Sequence, residues 1–130
     1  MKSLNKVWLN EYLIDKKYFD AILIGESLPI YSKNKLWLDF LCIKKENNKI
    51  YKIAIELDGE QHLREIKHFH KMTTFNDQNK RDMLKDEYFL KNDEYSFIRI
   101  KSQENYSVYD ELFNECLIQI KKDKKYYNKY

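Results

Sequence analysis

The stretch KLWLDFLCIKKENNKIYKIAIELDG, residues 35–59, decides the architecture. A near-continuous apolar run leads into Glu46-Asn47-Asn48-Lys49, and a second apolar run then ends at two carboxylates and a glycine. Asparagine tolerates positive φ, so Asn47-Asn48 predicts a tight connection between two antiparallel strands. Side chains alternate between faces along a strand, so the register can be followed by parity. A two-residue turn pairs Glu46 with Lys49 and places Asp39 opposite Glu56. A four-residue loop places Asp39 opposite Ala54, with Glu56 its diagonal neighbour. Either register gathers Asp39, Glu56 and Asp58 on one face and sends Leu38, Phe40, Cys42, Ile53, Ile55 and Leu57 to the other as core.

Carboxylates held side by side cost free energy unless a cation or a shared proton relieves them. Gln61 and His62 follow directly in the sequence. Carboxylate oxygens with an imidazole nearby are what a hard divalent ion and the water it activates require. The plain alternative is a solvent-facing strand end turning at Asp58-Gly59.

Outward from this hairpin, helical spacing of Leu4, Val7, Trp8 and Tyr12 predicts a helix over 4–14 with Ser3 as its cap. Residues 19–24 (FDAILI) read as a short strand closed by Gly25, and Pro29 marks a loop. Residues 35–44 read as one strand. After about a dozen further residues, 76–91 predict a charge-rich helix with Leu84 and Tyr88 on its apolar side. Residues 95–100 predict a strand, and 108–122 a last helix with Leu112, Cys116, Leu117 or Ile118, and Ile120 facing inward. The order αβββαβα predicts an α/β fold of the α+β, mixed-sheet kind, and one proline and two glycines in 130 residues leave no linker to divide it into domains.

A net charge of +3 with interspersed signs does not by itself demand a nucleic-acid partner. The terminal run from Lys121 to Tyr130 mixes cations with rings, so Lys121, Lys122, Lys124 and Lys125 are either phosphate contacts or a frayed, solvated helix end. The first residues lack the apolar core of a secretion signal and no segment approaches the length of a membrane span, which predicts an intracellular protein that is not secreted and has no membrane partner. Cys42 and Cys116 sit in apolar patterns and read as buried free thiols.

The element order, with one acid in the second strand and more acids closing the third, resembles the restriction-endonuclease-like fold of the PD-(D/E)XK nucleases, an αβββαβ core here followed by a C-terminal helix. Leu38-Asp39-Phe40, Ile55-Glu56-Leu57-Asp58-Gly59-Glu60-Gln61-His62, Lys80-Arg81-Asp82 with Lys85, and Phe97-Ile98-Arg99-Ile100 resemble more specifically the small very-short-patch-repair-like endonucleases and their phage homing-endonuclease relatives. The likeness runs from about Asp39 to Lys101 and extends weakly to the first helix.

This resemblance implies a single-domain endonuclease that hydrolyses phosphodiester bonds in DNA with Mg2+ or Mn2+. Asp39 and Glu56 would be metal ligands, Asp58 a third ligand or an acceptor orienting a metal-bound water, and His62 a general acid or base, since imidazole titrates near neutrality. Lys80, Arg81 and Lys85 share a helix stripe suited to a scissile phosphate or, alternatively, to solvated ion pairs. Asp82 would orient one of these cations or reach the metal. Glu11 borders the apolar stripe of the first helix and is a further candidate ligand. Gln61 and Arg81 are candidate nucleic-acid contacts, with specificity supplied by loops, a protein partner or a larger assembly. Asp58 stands where the general motif has lysine, so His62 or a helix cation has to compensate. His62, His68 and His70 lack the cysteine or carboxylate pattern of a zinc site. A silent nucleic-acid-binding or protein-interaction module, or a junction resolvase or RNA-processing nuclease on the same scaffold, is the alternative.

Overall fold

The turn at Asn47-Asn48 sets the register of the sheet. Both asparagines take positive φ, 54° and 61°, the geometry whose twist matches that of the flanking strands. Glu46 consequently pairs with Lys49 and the ladder runs without a slip to Phe40 opposite Ile55, the shorter of the two expected loops. The Asn47 side chain has a second task. Its Nδ2 donates to the carbonyls of Ile120 and Lys121, both at 3.2 Å, and so adds to the capping of a helix end where the Ile120 carbonyl also accepts from the Asp123 N–H at 2.9 Å.

The computed structural model describes residues 2–25, 27–28, 36–58, 72–101 and 106–129. In chain order they form α1 (Lys2–Lys16), β1 (Ala21–Ile24), β2 (Ser27–Leu28), β3 (Leu36–Trp37), β4 (Phe40–Glu46), β5 (Lys49–Asp58), α2 (Met72–Lys91), β6 (Tyr95–Lys101), α3 (Tyr106–Lys121) and β7 (Tyr127–Lys129). The main sheet is mixed and five-stranded, ordered β1-β4-β5-β6-β7. Its first two pairings are antiparallel and its last two parallel. The change of direction follows from the connections, since a hairpin joins β4 to β5 whereas helices carry the chain from β5 to β6 and from β6 to β7.

The faces sort by parity. On one, Leu9 and Leu13 of α1 and Tyr109, Phe113, Cys116 and Ile120 of α3 pack with Phe40, Cys42, Ile53, Ile55 and Ile98. On the other, Phe89 of α2 stacks on Phe97 at 4.8 Å between centroids, beside Ala54 and Leu38. Covered on both sides, β5 is buried at every position from Ile53 to Asp58. α1 is tied to α3 by Asp110, which accepts hydrogen bonds from the hydroxyls of both Tyr12 and Tyr18. Cys42 and Cys116 are free and buried, as expected, and burial pushes both thiols up, Cys116 to about 12.

Four expectations need correction. The strand expected over 35–44 is broken: β3 pairs with β2 in a separate two-stranded sheet, and the chain bends at Leu38-Asp39 before β4. The bend turns Leu38 to the α2 side, away from Phe40 and Cys42. Val7 is exposed: Trp8 and Tyr12 do pack against the core, but the fully buried residues of α1 are Leu9 and Leu13, and the side chain of Leu4 lies outside the described residues. Of the two alternatives on α3, Leu117 packs against the core and Ile118 is exposed, while Cys116 and Ile120 are fully buried as expected, together with Tyr109 and Phe113. The terminal run does not fray: β7 lies parallel to β6, with Phe97 N–H donating to the Tyr126 carbonyl at 2.8 Å.

Asn47→Ala removes both the tolerance for positive φ and the helix-end hydrogen bonds, and is expected to cost about 1–2 kcal/mol. Asn47→Gly keeps the turn but not the bonds. Chemical denaturation should rank the wild type above Asn47→Gly and Asn47→Gly above Asn47→Ala.

Candidate functional site

Asp39 lies one step beyond the last ladder pair of β4 and β5, opposite Glu56. The two residues are laced together through the backbone: Asp39 N–H donates to Glu56 Oε2 at 3.2 Å, and Leu57 N–H donates to Asp39 Oδ2 at 2.8 Å. The bend at Leu38-Asp39 is what aims the Asp39 carboxylate across the strand end. Each carboxylate also carries its own lysine. Lys6 Nζ of α1 lies 2.6 Å from Asp39 Oδ1, and Lys85 Nζ of α2 lies 2.5 Å from Glu56 Oε1. The lysines differ in burial, with side chains 39% exposed for Lys6 and 14% for Lys85.

Asp58, one pleat further along β5, belongs to a second cluster centred on Arg99 of β6. The parallel pairing sets Arg99 level with Glu56. Its Nη1 lies 2.9 Å from Asp58 Oδ1 and 3.8 Å from Asp82 Oδ1, and its Nε donates to Asp86 Oδ1 at 3.0 Å. The far oxygen of Asp86 meets Lys129 Nζ of β7 at 2.7 Å. Nη2 is fully buried and has no hydrogen-bond partner among the described residues, although Asp86 Oδ1 is near it. Burial alone would lower the affinity of the guanidinium for its proton, but Asp58, Asp86, Glu56 and Asp82 together raise it.

Burial and the neighbouring Asp39 charge push Glu56 up to about 8, and Lys85 only partly opposes them. Asp39 moves the other way. Burial would raise it too, but hydrogen bonds from Glu56, Lys6 and the Leu57 N–H hold it below its ordinary value. The pair therefore keeps one proton, carried by Glu56, across the neutral range. That is the signature of carboxylates forced together.

The chain matches no protein-family model, no curated protein and no solved structure.

Of the expected site residues, Asp39, Glu56, Asp58 and Lys85 converge. Asp82 does orient a cation, but that cation is Arg99 of the sheet rather than a helix residue. Glu11 is not brought to the acids: it is exposed, two positions from the inward Leu9 and Leu13, so it lies on the far side of α1. Among the described side chains of α1, Lys6 is the one that reaches the carboxylates. Lys125 is a structural contact, its ammonium donating to the carbonyls of Phe89, Leu90 and Asn92 at the end of α2. Lys121, Lys122 and Lys124 are exposed. Gln61, His62, His68 and His70, and the side chains of Lys80 and Arg81, lie outside the described residues. Sequence reasoning missed Lys6, Asp86 and Lys129 and gave Arg99 no role. Only Asp86 left a local signal, since Asp82, Lys85 and Asp86 fall on one helix face by the i, i+3, i+4 rule.

The hard oxygen donors of Asp39 and Glu56 suit a divalent cation, which would relieve the repulsion that now holds a proton on Glu56. Asp58 fits a ligand role less well, because Arg99 already holds it. Among the described residues no group of three or more His, Cys, Asp and Glu side chains is arranged to hold a metal, so the described donor set is a carboxylate pair.

Arg99→Met would leave Asp58 and Asp86 buried without their guanidinium. A loss of about 3–5 kcal/mol is expected on denaturant unfolding, the usual cost of breaking a buried pair from one side. The Glu56 shift has a sign that melting curves can read. A folded-state value raised from 4.5 to about 8 gives stability present below pH 4.5 and lost as pH rises to 8. The lowered Asp39 acts in a separate window, below its ordinary 3.8. In chelator, Tm should therefore fall between these limits more steeply for the wild type than for Glu56→Gln, which mimics the protonated acid.

Proposed function

We propose that this chain is a metal-dependent endonuclease that hydrolyses phosphodiester bonds in DNA. The observation that carries the reading is the Asp39–Glu56 pair, one carboxylate at the bend before β4 and one on β5, clamped together at the strand end with the Lys85 ammonium 2.5 Å from Glu56. Asp39 and Glu56 would hold Mg2+ or Mn2+ through hard oxygen donors. The ion, when bound, supplies Lewis-acid polarisation of the phosphodiester and acidification of a water.

The remaining roles belong to the chain's own side chains. Lys85 is a largely enclosed cation against Glu56 and would meet negative charge developing on the phosphate. It thereby takes over the part of the motif lysine whose position Asp58 occupies. Asp58, gripped by Arg99, fixes the end of β5 instead of acting as a base. No helix among the described residues is long and apolar enough to cross a membrane.

A second reading, a nuclease-like module that binds nucleic acid or a protein without turnover, draws on the lysine already seated on each carboxylate. Purified protein incubated with supercoiled plasmid and Mg2+ or Mn2+ separates the two. Nicking should appear, fall at least about a hundredfold in Asp39→Ala and Glu56→Ala, and fall on the order of a hundredfold in Lys85→Met while DNA affinity holds. Cleavage indifferent to Asp39 and Glu56 would overturn the assignment. Salt-dependent DNA binding with no cleavage under either ion would favour the second reading. Branched, mismatched and RNA substrates run alongside would distinguish a resolvase or an RNA-processing enzyme.

A further inference from the structure

Lys6 and Lys85 hold equivalent places, one ammonium on each carboxylate of the pair, yet their surroundings differ. Lys85 rises from α2 with its side chain largely enclosed, and Glu56 beneath it is 4% exposed. Lys6 comes from the first turns of α1, its side chain is more than twice as exposed, and its only charged contact among the described residues is Asp39 Oδ1 at 2.6 Å. Releasing Lys85 would strand an ammonium in a dry interior, which is costly. Releasing Lys6 returns it to water at the cost of one half-exposed ion pair.

The charges of the cluster point the same way. Among the described residues, the acids Asp39, Glu56, Asp58, Asp82 and Asp86 face Lys6, Lys85, Arg99 and Lys129. With a divalent ion displacing the Glu56 proton and Lys6 gone, five carboxylates meet three protein cations, a deficit of two charges that the ion itself makes good. With the ion added and Lys6 kept, the cluster would carry surplus positive charge in a low-dielectric setting.

We infer that Lys6 is a built-in competitor for the metal, an ammonium that occupies Asp39 until a divalent cation displaces it, so that α1 sets the affinity of the site. This rests on the nuclease reading above and deepens it by assigning α1 a residue that positions the metal equilibrium. It also accounts for how a repelling pair of acids remains folded without an ion. Lys85 stays on Glu56 throughout the exchange, and Lys6 leaves.

The test measures Mn2+ affinity by titration calorimetry on the full chain at one pH and ionic strength, for the wild type, Lys6→Met, Lys6→Gln and Lys129→Met. Replacing Lys6 removes the competing ion pair and should tighten Mn2+ binding on the order of threefold to tenfold, the range a partly exposed ion pair supports. Lys129→Met removes the same charge from Asp86 rather than Asp39 and should change affinity less than twofold. Melting in chelator adds a readout independent of both turnover and titration: the Lys6 variants should melt below the wild type without metal and gain more than it does with Mn2+. Unchanged or weaker Mn2+ binding in both Lys6 variants, with wild-type binding intact, overturns the competitor role and leaves the nuclease reading standing. Absence of Mn2+ binding in every form overturns both.

Discussion

The structure depends on acids placed where water cannot reach them. β5 is covered on both faces from Ile53 to Asp58, and two of those six positions are carboxylates. An ionised carboxylate taken out of water costs several kcal/mol unless a cation and hydrogen bonds replace its hydration. Lys85 of α2 supplies Glu56 and Arg99 of β6 supplies Asp58, while Lys6 of α1 and Lys129 of β7 supply the neighbouring acids Asp39 and Asp86. None of these cations is a sequence neighbour of the acid it pairs with. The cluster therefore assembles only when helices on both faces and the parallel half of the sheet are in place, which couples the chemistry of the site to completion of the fold.

That coupling also explains what could be read in advance. The hairpin was legible because each of its signals is local: asparagines that accept positive φ, and a period of two that fixes which side chains share a face. Parity anticipated Asp39 opposite Glu56, with Asp58 on the same face of β5 as Glu56, although the bend at Leu38-Asp39 is what aims the Asp39 carboxylate. Lys85 was legible as a helix cation, although its partner was not. What escaped the sequence depends on tertiary geometry. The bend at Leu38-Asp39 has no proline or glycine to announce it, and it arises where β3 leaves for its own small sheet. The stripe of α1 was misjudged by choosing Val7 over Leu9, since in a helix where apolar residues crowd together several stripes satisfy the same spacing. Lys6 sits on that helix with nothing in its surroundings to distinguish it from other surface lysines.

The terminal segment makes the same point from the other end of the chain. Its lysines and tyrosines resemble a solvated tail, yet Tyr127 packs on Phe97, Lys125 closes the carbonyl end of α2, and Lys129 neutralises Asp86. A lysine on a short edge strand is commonly a guard against edge-to-edge association. Here Lys129 does something further, because Asp86 is also a partner of Arg99. The outermost strand thus contributes to the charge balance around Asp58.

The cluster divides into a fixed half and an exchangeable half, and the division follows the chemistry of its cations. Arg99 is a planar fork, always charged, engaging Asp58 and Asp86 in set directions while its face lies 5.5 Å from the Phe97 ring. Such a group holds geometry and does not let go. Lysines are point charges on flexible stems, and among the described residues the ion pairs of Asp39 and Glu56 are both with lysines. Asp58 therefore belongs to the scaffold, although its position in the sequence placed it among the reacting groups. β5 carries no cation after Glu56, where Asp58 stands two positions on, but an ammonium from α2 comes to within 2.5 Å of Glu56. What the carboxylate pair requires is a positive charge at a point in space, and the fold can deliver that charge from any element passing close enough.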